Sequence, residues 1–389
     1  MSGWAVARAA ADRVAWLVCG AWGLAVWLHE RRHAPALDPA AVERILVIRL
    51  DLLGDLVFTA PLVAALRDAY PRAELVLLTT PYTAPLGPLL PGIDRVLTLD
   101  IQRLRRPAGW RYLGEALGLV ARLRRERFDL CVAVHGRPAG MLALASGARV
   151  RVGYRAHAYP FAFNRPLAGY RYAWRRHEVE YCLELARAVG ADAPGRPLLL
   201  APPRDRRGGG LLPGERYLVL HPGASNGTAK RWPPEAWAAL GKAAVQRFGR
   251  RVVVTGAESE DALVAMVCAQ IGKAALARIG SSLIDLAGVL AAAEAVVAAD
   301  TGPLHLAAAL GTPVVGLYGP TDPAHTGPRG PLAAAVRRPV PCGPCYDLRG
   351  PAECRLPTRS AECLTLLPPQ AVLAALAAVL DRARQAAVR

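Results

Sequence analysis

Along the chain, short runs of consecutive apolar residues alternate with longer stretches in which apolar positions recur every three or four residues. A run such as Ile45-Leu46-Val47-Ile48 is too short for a helix and apolar at every position, which predicts a parallel strand buried on both faces. Ordered structure is expected to begin there, at Arg44. Further strands are predicted at Glu74 to Thr79, Arg95 to Leu99 and Leu130 to Val134. Helical spacing runs from about Leu56 to Ala69, where Pro61 fits only a first turn and so delays the helix proper, and from Leu113 to Arg125. The pattern then repeats. Strands are predicted at Tyr217 to His221, Arg251 to Thr255, Ala295 to Ala299 and Pro313 to Tyr318. Helices are predicted at Pro233 to Phe248, Glu258 to Ile271, Leu283 to Ala293 and Pro303 to Leu310, with a last one at Pro368 to Ala387. Strands alternating with helices in this way predict an α/β fold whose ligands lie beyond the carboxyl ends of the strands.

A Pro-, Gly- and Arg-rich stretch, Ala201 to Gly214, separates the two series and reads as a linker. A chain of 389 residues suits two domains plus extensions. The expected division is 1–43, 44–200, the linker 201–214, 215–335, and a Cys-rich segment with a terminal helix at 336–389. With 53% apolar and 20% charged residues the chain is globular rather than disordered.

The net charge of +17 predicts an anionic partner. Residues 101–127 concentrate it, with eight Arg (at positions 103, 105, 106, 111, 122, 124, 125 and 127) against Glu115 and Glu126; a solvated basic helix face is the plain alternative. Near the amino terminus, the apolar run Val14 to Leu28 is followed by His29-Glu30-Arg31-Arg32-His33, not by a cleavage site. Trp4, Trp16, Trp22 and Trp27 with Arg8, Arg13, Arg31 and Arg32 suit an interfacial helix on an anionic membrane surface, a signal anchor lengthened by Ala9 to Ala11 being the alternative. Cys19, Cys131, Cys182 and Cys268 sit singly in apolar stretches and read as core. Cys342-x2-Cys345-x8-Cys354-x8-Cys363 is clustered, and a structural zinc site is one expectation for it, unpaired or redox-active thiols the other.

Three loops carry candidate chemistry. Asp300-Thr301-Gly302-Pro303-Leu304-His305 leaves an apolar strand and opens a helix, with Asp300 or Thr301 as N-cap and Pro303 in the first turn. Its free N–H groups and positive dipole end suit a diphosphate, to which His305 can donate. The stretch His221 to Pro233 (HPGASNGTAKRWP) also follows a strand; its small residues, including Ser225, admit a phosphate and Lys230 supplies a point charge. Thr255-Gly256-Ala257-Glu258-Ser259-Glu260 puts a carboxylate where a ribose is bound in other α/β sites. An ordinary helix cap, an exposed lysine and a dipole-serving Glu are the plain alternatives.

Taken in order, ILVIRLDLLGD (Ile45 to Asp55), HPGAS with KRWPPE, TGAESE and DTGPLHLAAALGTPVVGLYGPTDP resemble glycosyltransferase family 9, the ADP-heptose:lipopolysaccharide heptosyltransferases, over roughly Arg44 to Gly330. The resemblance implies a GT-B architecture, two Rossmann-like domains facing each other across a cleft. It implies an inverting enzyme that moves heptose from ADP-heptose to a lipid-linked lipopolysaccharide-core acceptor at the cytoplasmic face of the inner membrane, with no cofactor required and no nucleic acid as partner. The absence of any Asp-x-Asp agrees with metal-independent chemistry. On this resemblance Asp55 is the catalytic base; Ser225, Lys230, Glu260, Asp300, Thr301, Gly302 and His305 bind the donor; Arg49 and Gly54 border the acceptor. Where the family usually has two small polar residues before Gly-Asp, this chain has Leu52-Leu53. Transfer of another sugar to a cell-surface glycan, and donor binding without transfer, are the alternative functions.

Overall fold

The computed structural model describes residues 36–104, 109–157, 160–169, 176–191, 195, 197–203, 215–225, 227–346, 352–356, 358 and 360–388. The tryptophan-rich segment and nearly all of the expected linker lie outside the described residues.

Two six-stranded sheets form, both wholly parallel in their described pairings. The first contains β1 (Arg44–Ile48), β2 (Glu74–Thr79), β3 (Arg95–Thr98), β4 (Leu130–Ala133), β5 (Val150–Tyr154) and β6 (Arg165–Leu167), in the order β3-β2-β1-β4-β5-β6. The second contains β7 (Tyr217–His221), β8 (Arg251–Gly256), β9 (Ala275–Ile279), β10 (Ala295–Ala299), β11 (Val314–Tyr318) and β12 (Ala333–Arg337), in the order β12-β11-β10-β7-β8-β9. Renumbered within its own half, each sheet has the same order, that of a Rossmann fold. The order reverses between β1 and β4 in one and between β7 and β10 in the other, and such reversals open a crevice for ligands.

The four apolar residues of β1 are all buried, on alternate faces of the sheet. Ile45 and Val47 point into a core shared with Leu75, Leu77, Val219, Val296 and Ala298, while Leu46 and Ile48 point into a second core beneath Leu123 of a basic surface helix. The shared core thus runs through both sheets. A third core lies on the far side of the second sheet, where Val372, Leu376 and Leu380 of the last helix pack with Trp237, Leu240, Val315 and Leu317.

The helices used below are α1 (Leu53–Val57), α2 (Ala60–Ala69), α3 (Leu113–Glu126), α4 (Glu178–Arg187) and α5 (Gly302–Ala309). The helix expected from Leu56 to Ala69 is broken in two, because Pro61 must lie in a first turn and so starts α2 afresh. The residues before it form their own short helix, α1, which carries Asp55. Among the described residues no helix is long and apolar enough to cross a membrane.

Candidate functional site

The strand β10 ends at Ala299, and α5 begins at Gly302 with Pro303 in its first turn. Thr301 is the N-cap residue, but its hydroxyl turns back to donate to the Ala299 carbonyl at 3.1 Å and makes no capping bond. The amino end of α5 is therefore not closed by a side-chain cap.

Asp300, just before it, is buried. Lys230 Nζ lies 3.0 Å from Asp300 Oδ2 and 3.2 Å from the Asp300 carbonyl, and His305 Nε2 lies 3.2 Å from Oδ1. Burial alone would raise the Asp300 pKa, but Lys230 and His305 outweigh it and hold the carboxyl well below the usual carboxylate range. Burial, with Asp300 nearby, raises the neighbouring Tyr318 phenol well above its ordinary value. Lys230 is also covered by the ring of Tyr346, 5.1 Å from Nζ to the centroid. Tyr346 comes from the Cys-rich segment, and residues 352 and 353 of that segment bond the Lys230 loop directly, Ala352 by accepting the Ala229 N–H at 2.9 Å and Glu353 by accepting the Thr228 N–H at 3.2 Å.

The neighbouring loops complete this side. His221, at the end of β7, is buried with Nδ1 2.9 Å from Thr255 Oγ1, and burial pushes its pKa down. Ser225 is exposed on the loop that follows. Glu260 accepts the Ala257 N–H at 2.9 Å, and its carboxylate occupies the space where a Cβ on Gly223 would stand, 2.1 Å from that position. Only glycine admits it there.

The first turn of α1 faces α5. A Cβ on Gly54 would meet the His305 ring at 2.9 Å, and one on Gly302 would meet Leu53 at 2.7 Å, so the two backbones cross at glycines from opposite halves of the chain. Phe58 wedges between His305 and His177, with centroids 4.6 and 5.3 Å away. His177, the N-cap residue of α4, accepts the Val179 N–H on Nδ1 at 3.2 Å, which leaves Nε2–H to donate to the Gly327 carbonyl at 2.9 Å. Burial pushes its pKa down to about 3, so the ring is neutral. Arg329 and Glu180 add an ion pair at 3.6 Å between the same two halves.

Arg49 is 1% exposed and reaches Asp55 Oδ1 at 2.9 Å, Asp51 Oδ2 at 3.1 Å and Glu178 Oε1 at 3.2 Å. The second Asp55 oxygen accepts the Leu52 N–H at 3.3 Å. Of the residues singled out from sequence, Asp300, Lys230, Thr301, Gly302 and His305 come together at the amino end of α5, with Gly54 beside them and Arg49 bound to Asp55. Ser225 and Glu260 line the adjoining loops. Sequence reasoning missed Phe58, His177, Glu178 and Tyr346. Glu178 lies 129 positions from its Arg49 partner, a separation that no local spacing reveals.

The structural zinc expected at Cys342, Cys345, Cys354 and Cys363 is not supported. Among the described residues no group of three or more His, Cys, Asp or Glu is placed to hold a metal ion. Cys342 is exposed on a turn, whereas Cys363 is buried against Gly319, its thiol 3.7 Å from the Ala361 carbonyl. Burial, then the neighbouring thiols of Cys345, Cys342 and Cys354, push the Cys363 pKa up to about 11.

Comparison with known proteins agrees with the fold. Residues 117–355 match the model of glycosyltransferase family 9 (heptosyltransferase). Lipopolysaccharide heptosyltransferase 1 of Pseudomonas aeruginosa is 30% identical over 309 residues, covering 78% of this chain and 86% of that protein. Lipopolysaccharide heptosyltransferase 2 of Escherichia coli is 27% identical over 311 residues, covering 76% and 88%. The solved structure of the E. coli ADP-heptose lipopolysaccharide heptosyltransferase II superposes with a TM-score of 0.70 at 25% identity, covering 88% of this chain and 99% of that one. Two parallel Rossmann-like halves meeting at Gly54 and Gly302 are thus a GT-B fold, and the chain belongs to glycosyltransferase family 9, the heptosyltransferases.

Proposed function

We propose that this glycosyltransferase moves heptose from ADP-heptose to a lipopolysaccharide-core-type acceptor, with inversion and without a catalytic metal. The observation that carries the reading is the meeting of two unlike groups at one crossing. The Asp300–Lys230–His305 cluster at the amino end of α5 lies directly against α1, which bears Asp55. The names of the relatives supply the sugar and the acceptor class.

In this reading Asp55 takes the proton of the acceptor hydroxyl as its oxygen attacks the anomeric carbon. The bond to the diphosphate breaks on the opposite face, which inverts the centre. Charge then grows on the leaving phosphate, toward Lys230 and the N–H groups of α5. An ammonium has three donors, and Asp300 engages two of those on Lys230, leaving one for a phosphate oxygen. Glu260 serves the ribose, Ser225, Thr301 and Gly302 the phosphates, and Gly54 borders the acceptor. Approach of the two halves over the substrates excludes water and limits donor hydrolysis.

The lipid-linked acceptor places the work at the cytoplasmic face of the inner membrane. Arg111, Arg122 and Arg125, on and beside α3, with exposed Leu113 and Leu117 suit an anionic surface there. The test is a panel of ADP-, UDP-, GDP- and dTDP-sugars. ADP-heptose at about 100 times its dissociation constant should add roughly 2.7 kcal/mol of stability, and ADP should be released with lipid A-core fractions. Equal stabilisation by UDP- or GDP-sugars and none by ADP-heptose would sink the assignment of the sugar.

A further inference from the structure

Asp55 shares the Arg49 guanidinium with two other carboxylates. Arg49 Nη2 lies 2.9 Å from Asp55 Oδ1 and 3.2 Å from Glu178 Oε1, while Nε lies 3.1 Å from Asp51 Oδ2. Arg49 and Glu178 are 1% and 5% exposed, so water screens little of their attraction. Asp55 retains 18% of its side-chain surface and so, unlike Glu178, is open to a substrate.

A guanidinium given wholly to one carboxylate favours its charged form and lowers its pKa by roughly 1 to 3 units, which weakens it as a base. Arg49 is not given wholly to Asp55. The charged and titratable groups around Asp55 come from each packed element: Arg49 and Asp51 from the loop before α1, Glu178 and His177 from the start of α4, and His305 from α5, whose first turn lies against Gly54, with Asp300 just before it. Of these, Glu178 touches the same nitrogen as Asp55, and its own place is set by the N-cap at His177, which is bonded to Gly327 of the opposite half.

We infer that Glu178 is a positioning residue for transfer, holding Arg49 so that Asp55 is fixed toward the cleft while staying basic enough to take a proton. The inference rests on the reading of Asp55 as base. Glu178 touches no substrate in this scheme; it acts through Arg49.

Glu178→Gln keeps the size and an oxygen for Arg49 but removes the charge, and Glu178→Asp keeps the charge. Protein labelled with 13C at the aspartate carboxyl carbon gives the titration of Asp55, its signal identified by loss in Asp55→Asn. In Glu178→Gln the Asp55 midpoint should fall by about 1 unit, and it should return toward the wild-type value in Glu178→Asp. With ADP-heptose and a lipid A-core fraction, the acid limb of kcat/KM should move with that midpoint, and transfer in Glu178→Gln should drop by roughly 3- to 10-fold. An unmoved midpoint beside an inactive Asp55→Asn overturns this inference and leaves the base assignment standing. Normal transfer by Asp55→Asn overturns the base assignment and this inference with it. If Glu178→Gln does not fold, Glu178→Asn, which also removes the charge, is measured in its place: a lowered Asp55 midpoint supports the role, and an unmoved one beside an inactive Asp55→Asn overturns it.

Discussion

The two halves reverse their strand order at the same place, yet the polar groups there are arranged in opposite senses. Beyond β1, a guanidinium sits among three carboxylates, those of Asp51, Asp55 and Glu178. Beyond β10, a carboxylate, Asp300, sits between an ammonium and an imidazole. The backbones are alike, so topology alone does not decide the chemistry; the loops do. A cluster rich in carboxylates is suited to receive a proton, and one rich in cations and helix N–H groups is suited to receive a diphosphate. Held edge to edge at Gly54 and Gly302, they would offer, on the function proposed above, the two services that displacement of a nucleotide diphosphate needs.

That contrast can be broken from either side. The largest effect is expected at the second cluster. Lys230→Met should leave Asp300 buried with its main counter-ion gone, at a cost of about 3 kcal/mol or more. The double variant Lys230→Met/Asp300→Asn should recover much of it, and urea midpoints of the three proteins measure the difference. If the single variant is no less stable than the double one, Asp300 does not depend on Lys230. The carboxyl of Asp300 is held below its unfolded value, so the stability it confers is complete above the ordinary carboxylate range and is lost as pH falls below it. At the first cluster, Asp55→Asn should cut transfer by about 100-fold or more, with donor binding nearly intact. Normal turnover would reduce Asp55 to a cap.

The contact between the clusters comes next in size. Gly302→Ala puts a methyl 2.7 Å from Leu53, and both backbones are held by their sheets, so a loss of roughly 1 to 3 kcal/mol is expected. Gly302→Ala/Leu53→Ala should regain part of it, as melting curves would show. No loss in the single variant would mean that the halves can part without cost.

How far the sequence reveals this contrast depends on which interactions are local. The strands β1, β2, β7, β10 and β11 are apolar at nearly every position because both faces are covered, and their limits are legible to within a residue or two. β5 is not, because Arg151 interrupts its apolar run. The side chain is buried all the same, its guanidinium donating to the carbonyls of Ala162 at 3.0 Å and Ala148 at 2.9 Å. β6 has three residues including a proline, and β9 lies half-exposed at a sheet edge, so neither carries a strong pattern. The loop at Asp300 is legible because strand end, glycine, proline and histidine fall within six residues. The Arg49 cluster is not, since Glu178 reaches it from another helix. The cysteine spacing suits zinc, yet the four thiols, though near enough to affect one another's titration, do not form a group placed to hold a metal ion among the described residues.

The smallest effect tests the link that joins the clusters across the halves. His177 stands next to Glu178 and donates to Gly327, so the placement of the first cluster is tied to a loop of the second half through one imidazole. Its pKa is pushed down to about 3, first by burial and then, against the Gly327 bond, by Arg329, His305 and His325. The unfolded chain therefore binds a proton that the folded one refuses between the ordinary histidine value and about 3. The stability from this residue is complete above the ordinary value and falls as pH drops through that window, by at most about 1.4 kcal/mol per pH unit. His221, also buried and lowered, contributes in the same direction, so the wild-type slope alone does not isolate His177. His177→Asn does, because asparagine can still cap α4 by accepting the Val179 N–H but cannot titrate. Near pH 8 the variant should be less stable by about 1 kcal/mol, for the bond to Gly327. Between pH 6.5 and 5 its unfolding free energy should fall less steeply than that of the wild type, so that the two curves converge. Parallel curves over that range would mean that His177 is not the neutral, buried tie between the two halves.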